Sequence, residues 1–329
     1  MFKYIVPTFI VGLSVALLGC SSNKSGSERK EKEVVEFPAF SADSAYNYIQ
    51  KQVDFGFRIP NTPEHEATAE WLAGKLESFG AEVIVQEADL KAYDGTILKS
   101  QNIIGQYNVA NPLRILLLAH WDTRPYADND PDPANHRKPI LGANDGASGV
   151  GVLLELARLF SIQNPKVGVE IMFVDSEDYG TPYFASPAPG DDDSWALGSQ
   201  YWSRNPHKRA YKAQYAILLD MVGAKNATFL REGFSDHYAS FLVDELWATA
   251  AKLGYSSYFL QDTGGYINDD HYYINSIAGI PAVDIIHLEK SNSGSFFEYW
   301  HTLKDDMRNI DKNTLKAVGE TVAYHIYNK

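Results

Sequence analysis

Four continuous apolar segments constrain the fold of this sequence more than any other feature. They lie at residues 114–119, 169–174, 215–219 and 281–288. Short apolar stretches without polar alternation are typical of β-strands that are buried on both faces. Helical patterns lie between or after them, at 147–160, 235–253 and 313–327. The sequence therefore predicts an α/β fold: a single three-layer α/β/α domain with a mixed, mostly parallel central sheet.

The region before the first apolar segment predicts one helix and two further strands. Thr62 is a suitable N-cap and Pro63 a suitable first helical residue, and apolar side chains follow at helical spacing up to Phe79. Residues 82–90 and 97–107 alternate between apolar and polar side chains, as half-buried strands do.

Charge and cysteine content exclude several classes of function. The chain has 329 residues and a formal net charge of −13, which argues against nucleic acid as a partner. Because it has 1 cysteine, it forms no intrachain disulfide and no cysteine-rich zinc site. A chain of this length buries enough surface to fold without a structural metal, so any metal is expected to serve chemistry.

The N-terminus has the pattern of an export signal. Lys3 precedes an apolar stretch at 4–18, which is short for a membrane span, and Leu17-Leu18-Gly19-Cys20 resembles the lipobox of bacterial lipoproteins. We expect a signal peptide at 1–19, lipidation of Cys20, a flexible tether at 20–36 and a catalytic domain at 37–329. The alternative is an ordinary signal peptide in which the cysteine occurs by chance. The expected location is membrane-anchored, facing the periplasm or the cell surface.

Acids and histidines follow the predicted strands at the points where those strands end. This set comprises His120, Asp122, Asp145, Asp175, Glu177, Asp178, Asp220 and His301. Each member alone has a structural explanation, such as a helix cap, a core histidine or a turn acid. Together they are expected at one edge of the sheet, where ligands of α/β proteins bind. Carboxylates and imidazoles cluster stably around a cation, and a set without cysteine suits catalytic zinc.

The motifs around these residues resemble those of the zinc-dependent exopeptidase fold, which includes di-zinc aminopeptidases and animal-type glutaminyl cyclases. The resemblance covers about residues 62–311. The motifs are His120-Trp121-Asp122, the Gly142–Gly149 segment, Ser176-Glu177-Asp178, Leu219-Asp220-Met221-Val222-Gly223 and Trp300-His301-Thr302.

Three features of the sequence are similar to glutaminyl cyclases in particular. Trp300 directly precedes His301, Ile267-Asn268-Asp269 resembles a segment whose acid contacts substrate, and Glu177-Asp178 resembles a base followed by a metal ligand. Residues 194–199 also resemble a cyclase segment. The resemblance implies conversion of N-terminal glutamine to pyroglutamate with release of ammonia, in peptide or protein substrates.

The resemblance also implies roles for individual residues. The zinc ligands are expected to be Asp145, Asp178 and His301. Glu177 is expected to act as the acid/base, with Asp269 and Asp220 as further catalytic residues. The expected substrate-binding residues are Trp300, Trp195, Phe296, Ile267 and His120. An apolar wall that keeps water from the reacting atoms is expected from Trp300, Phe296, Phe297 and Trp195. One zinc ion is expected; since His120 and Asp220 align with the additional ligands of di-zinc aminopeptidases, a second site stays open.

Two other functions remain as alternatives. The first is a di-zinc aminopeptidase that uses Glu177 to activate water and removes N-terminal residues. The second is a surface lipoprotein that keeps the fold as a binding module. Loss of ligand positions would mark the second alternative, and none is lost in this sequence.

Overall fold

The computed structural model describes residues 36–186, 193–290 and 295–329. The predicted signal peptide at 1–19, the predicted lipidation site Cys20 and all of the predicted tether except its last residue lie outside these residues. None of the helices within the described residues has the length and apolarity needed to cross a membrane.

Eight strands occur in the described residues, and six of them form the central sheet. In chain order they are β1 Glu82–Lys91, β2 Ile97–Tyr107, β3 Arg114–His120, β4 Gly168–Val174, β5 Ala216–Asp220, β6 Phe229–Arg231, β7 Phe259–Thr263 and β8 Ala282–Ile286. The order in the central sheet is β1-β2-β4-β3-β5-β8, and β6 and β7 form a separate parallel pair.

The four continuous apolar segments form the middle and one edge of this sheet. Every residue of β3, β4, β5 and β8 is buried. The β3–β4, β3–β5 and β5–β8 pairs are parallel, whereas β1–β2 and β2–β4 are antiparallel. Leu117 of β3 lies opposite Ile171 on one side and Ile217 on the other. The predicted mixed, mostly parallel sheet is therefore confirmed.

Seven α-helices occur in the described residues. They are α1 Ala42–Phe55, α2 Pro63–Ser78, α3 Ala147–Ile162, α4 Leu197–Arg204, α5 Gly233–Lys252, α6 Asp270–Ser276 and α7 Lys312–Tyr327. As predicted, Thr62 caps α2 by accepting a hydrogen bond from the His65 backbone N–H, and Pro63 is the first helical residue. Helices α1, α4 and α6 were not predicted.

The helices pack on both faces of the sheet and form three layers. Alternate residues of β3 point to opposite faces: Leu117 joins a core with α1, α2, α3, α5 and α7, whereas Leu116 and Leu118 join a core with α4 and α6. Helix α3 approaches β5 so closely at Gly149 that a Cβ there would lie 2.1 Å from the Leu219 carbonyl oxygen. This contact brings the start of α3 to the carboxyl edge of the parallel strands.

Candidate active site

Three acidic or imidazole side chains from separate loops converge at the carboxyl edge of the sheet. His301 Nε2 lies 3.2 Å from Asp178 Oδ1 and 3.5 Å from Asp145 Oδ2. One ligand atom from each of the three residues lies within 4.8 Å of the others, and all three residues are buried. Among the described residues, Asp145 Oδ2 and Asp178 Oδ2 have no hydrogen-bond partner. We call Asp145, Asp178 and His301 the ligand trio; their role as metal ligands stays a prediction.

Asp145 is held by the turn that precedes α3. The carboxylate of Asp305 accepts hydrogen bonds from the backbone N–H groups of Asn144 (2.8 Å) and Asp145 (3.1 Å). The Asp145–Gly146 peptide bond is cis. At Gly146 a Cβ would lie 2.4 Å from His120 Nε2, so only glycine lets this turn approach the imidazole.

A buried arginine fixes the same turn to the end of β3. Arg58 donates hydrogen bonds of 2.9 Å to the carbonyl oxygens of Trp121, Leu141 and Gly142. Burial lowers the pKa of Arg58 to about 10, so the guanidinium remains charged at neutral pH.

The loop after β4 carries Glu177 and Asp178. Their backbone N–H groups both donate to the carboxylate of Asp122, each at 3.1 Å, and Ser176 adopts a left-handed φ of 57°. Backbone strain of this kind is frequent at functional sites. Asp175 has a different role, because its Oδ2 lies 2.9 Å from His65 Nε2. The first acid of this segment is therefore part of a structural pair.

His301 stacks with two indole rings and is oriented by a carboxylate. The rings of Trp300 and Trp195 have centroids 3.8 Å and 6.0 Å from that of His301. His301 Nδ1 lies 3.4 Å from Asp128 Oδ1. A carboxylate at the second nitrogen is the usual partner of a metal-binding histidine.

Arg124 connects this histidine to the Asp178 loop. Its Nε and Nη2 donate to the two carboxylate oxygens of Asp128 at 2.7 Å each, and its Nη1 donates to the Asp178 carbonyl oxygen at 3.0 Å. The guanidinium also lies 4.6 Å from the centroid of the Trp195 ring. The buried guanidinium of Arg124 therefore holds both the carboxylate that orients His301 and the loop that carries Asp178.

His120 and Asp220 form a second group with Asp145. His120 Nε2 lies 3.0 Å from Asp145 Oδ1 and 3.3 Å from Asp220 Oδ1. His120 is 1% exposed and does not line the adjacent cavity. Its position thus places it against the acids of the site, away from the space that a substrate would enter.

A cavity of about 310 Å³ opens over the ligand trio. Trp195, Ile267, Phe296 and Trp300 line it as predicted. Phe297, which was also predicted for the apolar wall, does not line it, because its ring is buried and stacks on His287. Glu177, Asp220 and Asp269 line the same space. Four further residues line it. Met221 and Asn268 were named only as members of motifs, and Tyr266 and Ile286 were missed by the sequence reasoning. An apolar wall around a few convergent charged groups is typical of a binding site for a small ligand or a chain terminus.

The carboxyl groups in this cavity have raised pKa values. Burial raises the pKa of Glu177 well above its usual range, and Asp178 and Asp269 act in the same direction. Burial also raises the pKa of Asp178 to about 6 and that of Asp220 to about 7. Burial acts on Asp145 in the same way, but the hydrogen bond with His120 and the positive charges of His120, His301 and Arg124 together outweigh burial and lower the pKa of Asp145. Crowded acids of this kind create a strong attraction for a cation.

Asp269 belongs to a third buried group of acids and a histidine, which is connected to the segment that carries Ile267 and Asp269. Asp269, His271 and Asp284 bring their polar atoms within 4.8 Å of one another. His271 Nε2 lies 2.9 Å from Glu232 Oε2, and Glu232 Oε1 accepts a hydrogen bond from the Ile267 backbone N–H.

The supporting residues Arg58, Arg124, Asp128 and Asp305 carry no signal of their own in the sequence. Each of them contacts a segment that is distant in the chain or an irregular loop. Asp305, for example, contacts Asn144 and Asp145. Asp122 is different, because it follows a predicted strand within the His120-Trp121-Asp122 motif.

Comparison with known proteins places this site in a family. Residues 102–326 match the model of peptidase family M28. The chain is 27% identical to aminopeptidase YwaD of Bacillus subtilis over 249 residues, which are 74% of this chain and 47% of that protein. The chain thus spans about half the length of that relative. It is 26% identical to the glutaminyl-peptide cyclotransferase of Bos taurus over 286 residues, covering 78% of this chain and 74% of the bovine protein.

A solved structure resembles the whole described fold. The crystal structure of Bacteroides thetaiotaomicron glutaminyl cyclase bound to N-acetylhistamine is 55% identical in sequence and superposes with a TM-score of 0.87. The match covers 89% of this chain and 100% of the bacterial cyclase chain.

Proposed function

The chain belongs to peptidase family M28, and we propose that within this family it is a glutaminyl cyclase. It converts the N-terminal glutamine of peptides or proteins to pyroglutamate and releases ammonia. The observation that carries this function is an apolar-walled cavity that places Glu177 beside the ligand trio, in a chain 55% identical to a bacterial glutaminyl cyclase.

The residues of the ligand trio suit zinc. Two carboxylates and one imidazole are ligands that zinc accepts, and catalytic sites use three protein ligands with one position left open. Within the described residues, Asp145 Oδ2 and Asp178 Oδ2 accept no hydrogen bond and can therefore bind a cation. When bound, zinc supplies Lewis acidity that polarises the substrate amide. We expect one zinc per chain; His120 and Asp220, with Asp145 shared, are the residues that would hold a second.

The reaction requires a proton to move from the attacking nitrogen to the leaving nitrogen. The substrate's α-amine forms a bond to its own side-chain amide carbon, the bond from that carbon to the amide nitrogen breaks, and ammonia leaves. Because the nucleophile and the amide belong to one residue, the site needs only to fold the glutamine into a reactive conformation. One positioned carboxyl group can carry the proton between the two nitrogens.

Glu177 is the group we assign to this transfer. Its side chain is 12% exposed and lines the cavity. Burial favours its protonated form, whereas His120, whose Nδ1 lies 4.0 Å from Glu177 Oε2, favours the ionised form. These opposed effects suit a carboxyl group that must both accept and donate a proton. The hydrogen bond from the Glu177 backbone to Asp122 fixes the position of the residue.

Asp269 and Asp220 complete the polar part of the site. Asp269 lines the cavity and is 4% exposed, so it can accept a hydrogen bond from the α-amine and orient it. Asp220 lines the cavity beside the same space. Its raised pKa, about 7, gives it both protonation states near neutral pH.

The apolar wall has a chemical purpose in this function. Water that reached the polarised amide would hydrolyse it and yield glutamate in place of a ring. Trp195, Phe296 and Trp300 line the cavity next to His301, where they exclude water from the reacting atoms.

A variant of Glu177 tests the assignment of the acid/base. Glu177→Gln keeps the size and polarity of the side chain but cannot accept the amine proton. We expect the variant to fold, to bind zinc as the wild type does, and to lose nearly all ammonia release from a Gln-initiated peptide. Glu298→Gln is the matched control, because Glu298 is exposed and does not line this cavity. Wild-type activity in Glu177→Gln would refute the assignment.

The aminopeptidase alternative rests on the 27% identity to YwaD and on the second residue group around His120. It predicts two zinc ions per chain and release of nitroaniline from an amino-acid p-nitroanilide. The cyclase function predicts one zinc ion, ammonia from Gln-peptides and no nitroaniline. Metal analysis and the two assays on one preparation separate these functions.

We also propose that the protein is an exported lipoprotein that faces the periplasm or the cell surface. Lys3, the apolar segment at 4–18 and the sequence Leu17-Leu18-Gly19-Cys20 support this proposal. Labelling of cells with a radioactive fatty acid should mark the wild-type protein but not Cys20→Ser. Labelling of both proteins, or of neither, would contradict the proposed anchor.

A further inference from the structure

A tyrosine at the mouth of the cavity has no part in the proposed chemistry. Tyr266 lines the cavity, yet its side chain is 68% exposed. Single exposed aromatic residues are common on protein surfaces. Tyr266 differs because its ring borders the entrance that a peptide terminus must pass.

The protein holds this exposed ring in a fixed position. The Tyr266 ring packs edge to face on Phe234, with centroids 4.9 Å apart. It also lies directly on the backbone of Gly233, because a Cβ at that glycine would meet the ring at 2.8 Å. A larger residue at position 233 would displace the ring.

The backbone on both sides of Tyr266 is fixed as well. Gly233 N–H donates to the Gly265 carbonyl oxygen at 2.8 Å, and Ile267 N–H donates to Glu232 Oε1 at 2.9 Å. The ring therefore loses little conformational freedom when it contacts a ligand, and a rigid tyrosine provides contact area at low entropic cost.

The covalent structure of the substrate indicates what this ring contacts. In an N-terminal glutamine, the α-amine and the carbonyl leading to the second residue are bonded to the same α-carbon. The side-chain amide carbon is three bonds away from that α-carbon. With the amine held by Asp269, the carbonyl that leads to the second residue also lies near Asp269, because both groups are bonded to the same α-carbon. Tyr266 and Asp269 belong to one short segment, residues 266–269, that lines the cavity.

We infer that Tyr266 forms a subsite for the second residue of the substrate and favours peptides with an aromatic side chain there. This inference rests on the proposed glutaminyl cyclase function. An aromatic second residue would pack against the exposed face of the Tyr266 ring, whereas glycine would leave that face in water. One aromatic contact corresponds to about a 2- to 12-fold preference in kcat/KM.

Two peptides and three variants test the subsite. The quantity measured is the ratio of kcat/KM for Gln-Phe-amide to that for Gln-Gly-amide, with ammonia release as readout. The wild-type ratio should be about 2 to 12. Tyr266→Ala should lower the ratio to about one, and Tyr266→Phe should keep it because the ring is retained.

Tyr238→Ala is the matched control. Tyr238 packs on the same Phe234 ring and is 40% exposed, but it does not line the cavity. Its substitution should leave the ratio at the wild-type value. A wild-type ratio of one, or an unchanged ratio in Tyr266→Ala, would overturn the subsite alone. If the wild type cyclised neither peptide, the proposed function would fail, and the subsite with it.

Discussion

Replacement of Arg124 by methionine should weaken both the fold and the metal site. The substitution keeps an apolar side chain of similar length but removes both hydrogen bonds to Asp128 and the one to the Asp178 carbonyl oxygen. Asp128 is 4% exposed, and without the guanidinium its carboxylate keeps the Tyr183 backbone N–H and His301 as partners but loses a permanently charged partner. Loss of one partner from a buried ion pair costs about 3–5 kcal/mol of the free energy of unfolding.

The same change should lower the affinity for zinc. Asp128 faces His301 Nδ1, and Arg124 holds both Asp128 and the Asp178 loop. Loss of such a support typically weakens metal binding about 10- to 100-fold. Chemical denaturation of the metal-free protein gives the change in stability, and competition with a chelator gives the zinc affinity.

Two further variants make the result decisive. In Arg124→Met/Asp128→Asn the orphaned charge is removed, so the double variant should be more stable than the sum of the single effects by about 2 kcal/mol. Arg114→Met is the control: Arg114 lies at the other end of β3, pairs with Glu170 at 3.0 Å and should destabilise the fold without changing zinc affinity. Additive single effects within about 0.5 kcal/mol, or an unchanged zinc affinity in Arg124→Met, would refute this reasoning.

Two predictions concern pH. A free α-amine has a pKa of about 7.7–8.0, so kcat/KM for a Gln-peptide should rise about tenfold from pH 6 to pH 7; a flat profile would contradict attack by the amine. His325 is buried, lies 2.9 Å from the Tyr215 hydroxyl, and its pKa is lowered by burial to about 3. Because the unfolded state takes up the proton first, the free energy of unfolding should fall as pH drops below about 6.5, by up to about 1.4 kcal/mol per pH unit. Denaturation curves of His325→Gln between pH 6 and 4.5 should show a smaller slope than the wild type, and equal slopes would exclude this contribution.

The sequence predicts those parts of the fold that have long, uniform patterns. The segments that form β3, β4, β5 and β8 are continuously apolar, because they are buried on both faces. Helix α1 was missed because only Ala45, Ile49 and Gln52 of its 14 residues are buried. Helices α4 and α6 have 8 and 7 residues, which is too short for a clear period of 3.6 residues.

The sequence predicts the site residues that lie at strand ends, but it does not predict the residues that support them through contacts with distant segments. Glu177 and Asp178 follow β4 and Asp220 is the last residue of β5, and all three line the cavity, since the ends of parallel strands meet at one edge. Asp305 supports Asp145 from 160 residues away in the chain, and no local pattern reveals such a pair. Tyr266 could not be distinguished from other surface tyrosines, because its importance lies in the contacts with Gly233 and Phe234.

One measurement tests the central claim most directly: the mass of the product formed from a Gln-initiated peptide in ¹⁸O-labelled water. Cyclisation predicts a peptide that has lost one ammonia and contains no heavy oxygen, because the α-amine and not water attacks the amide. A product that has lost its whole first residue, or one that retains the residue and carries heavy oxygen, would show hydrolysis and contradict the account.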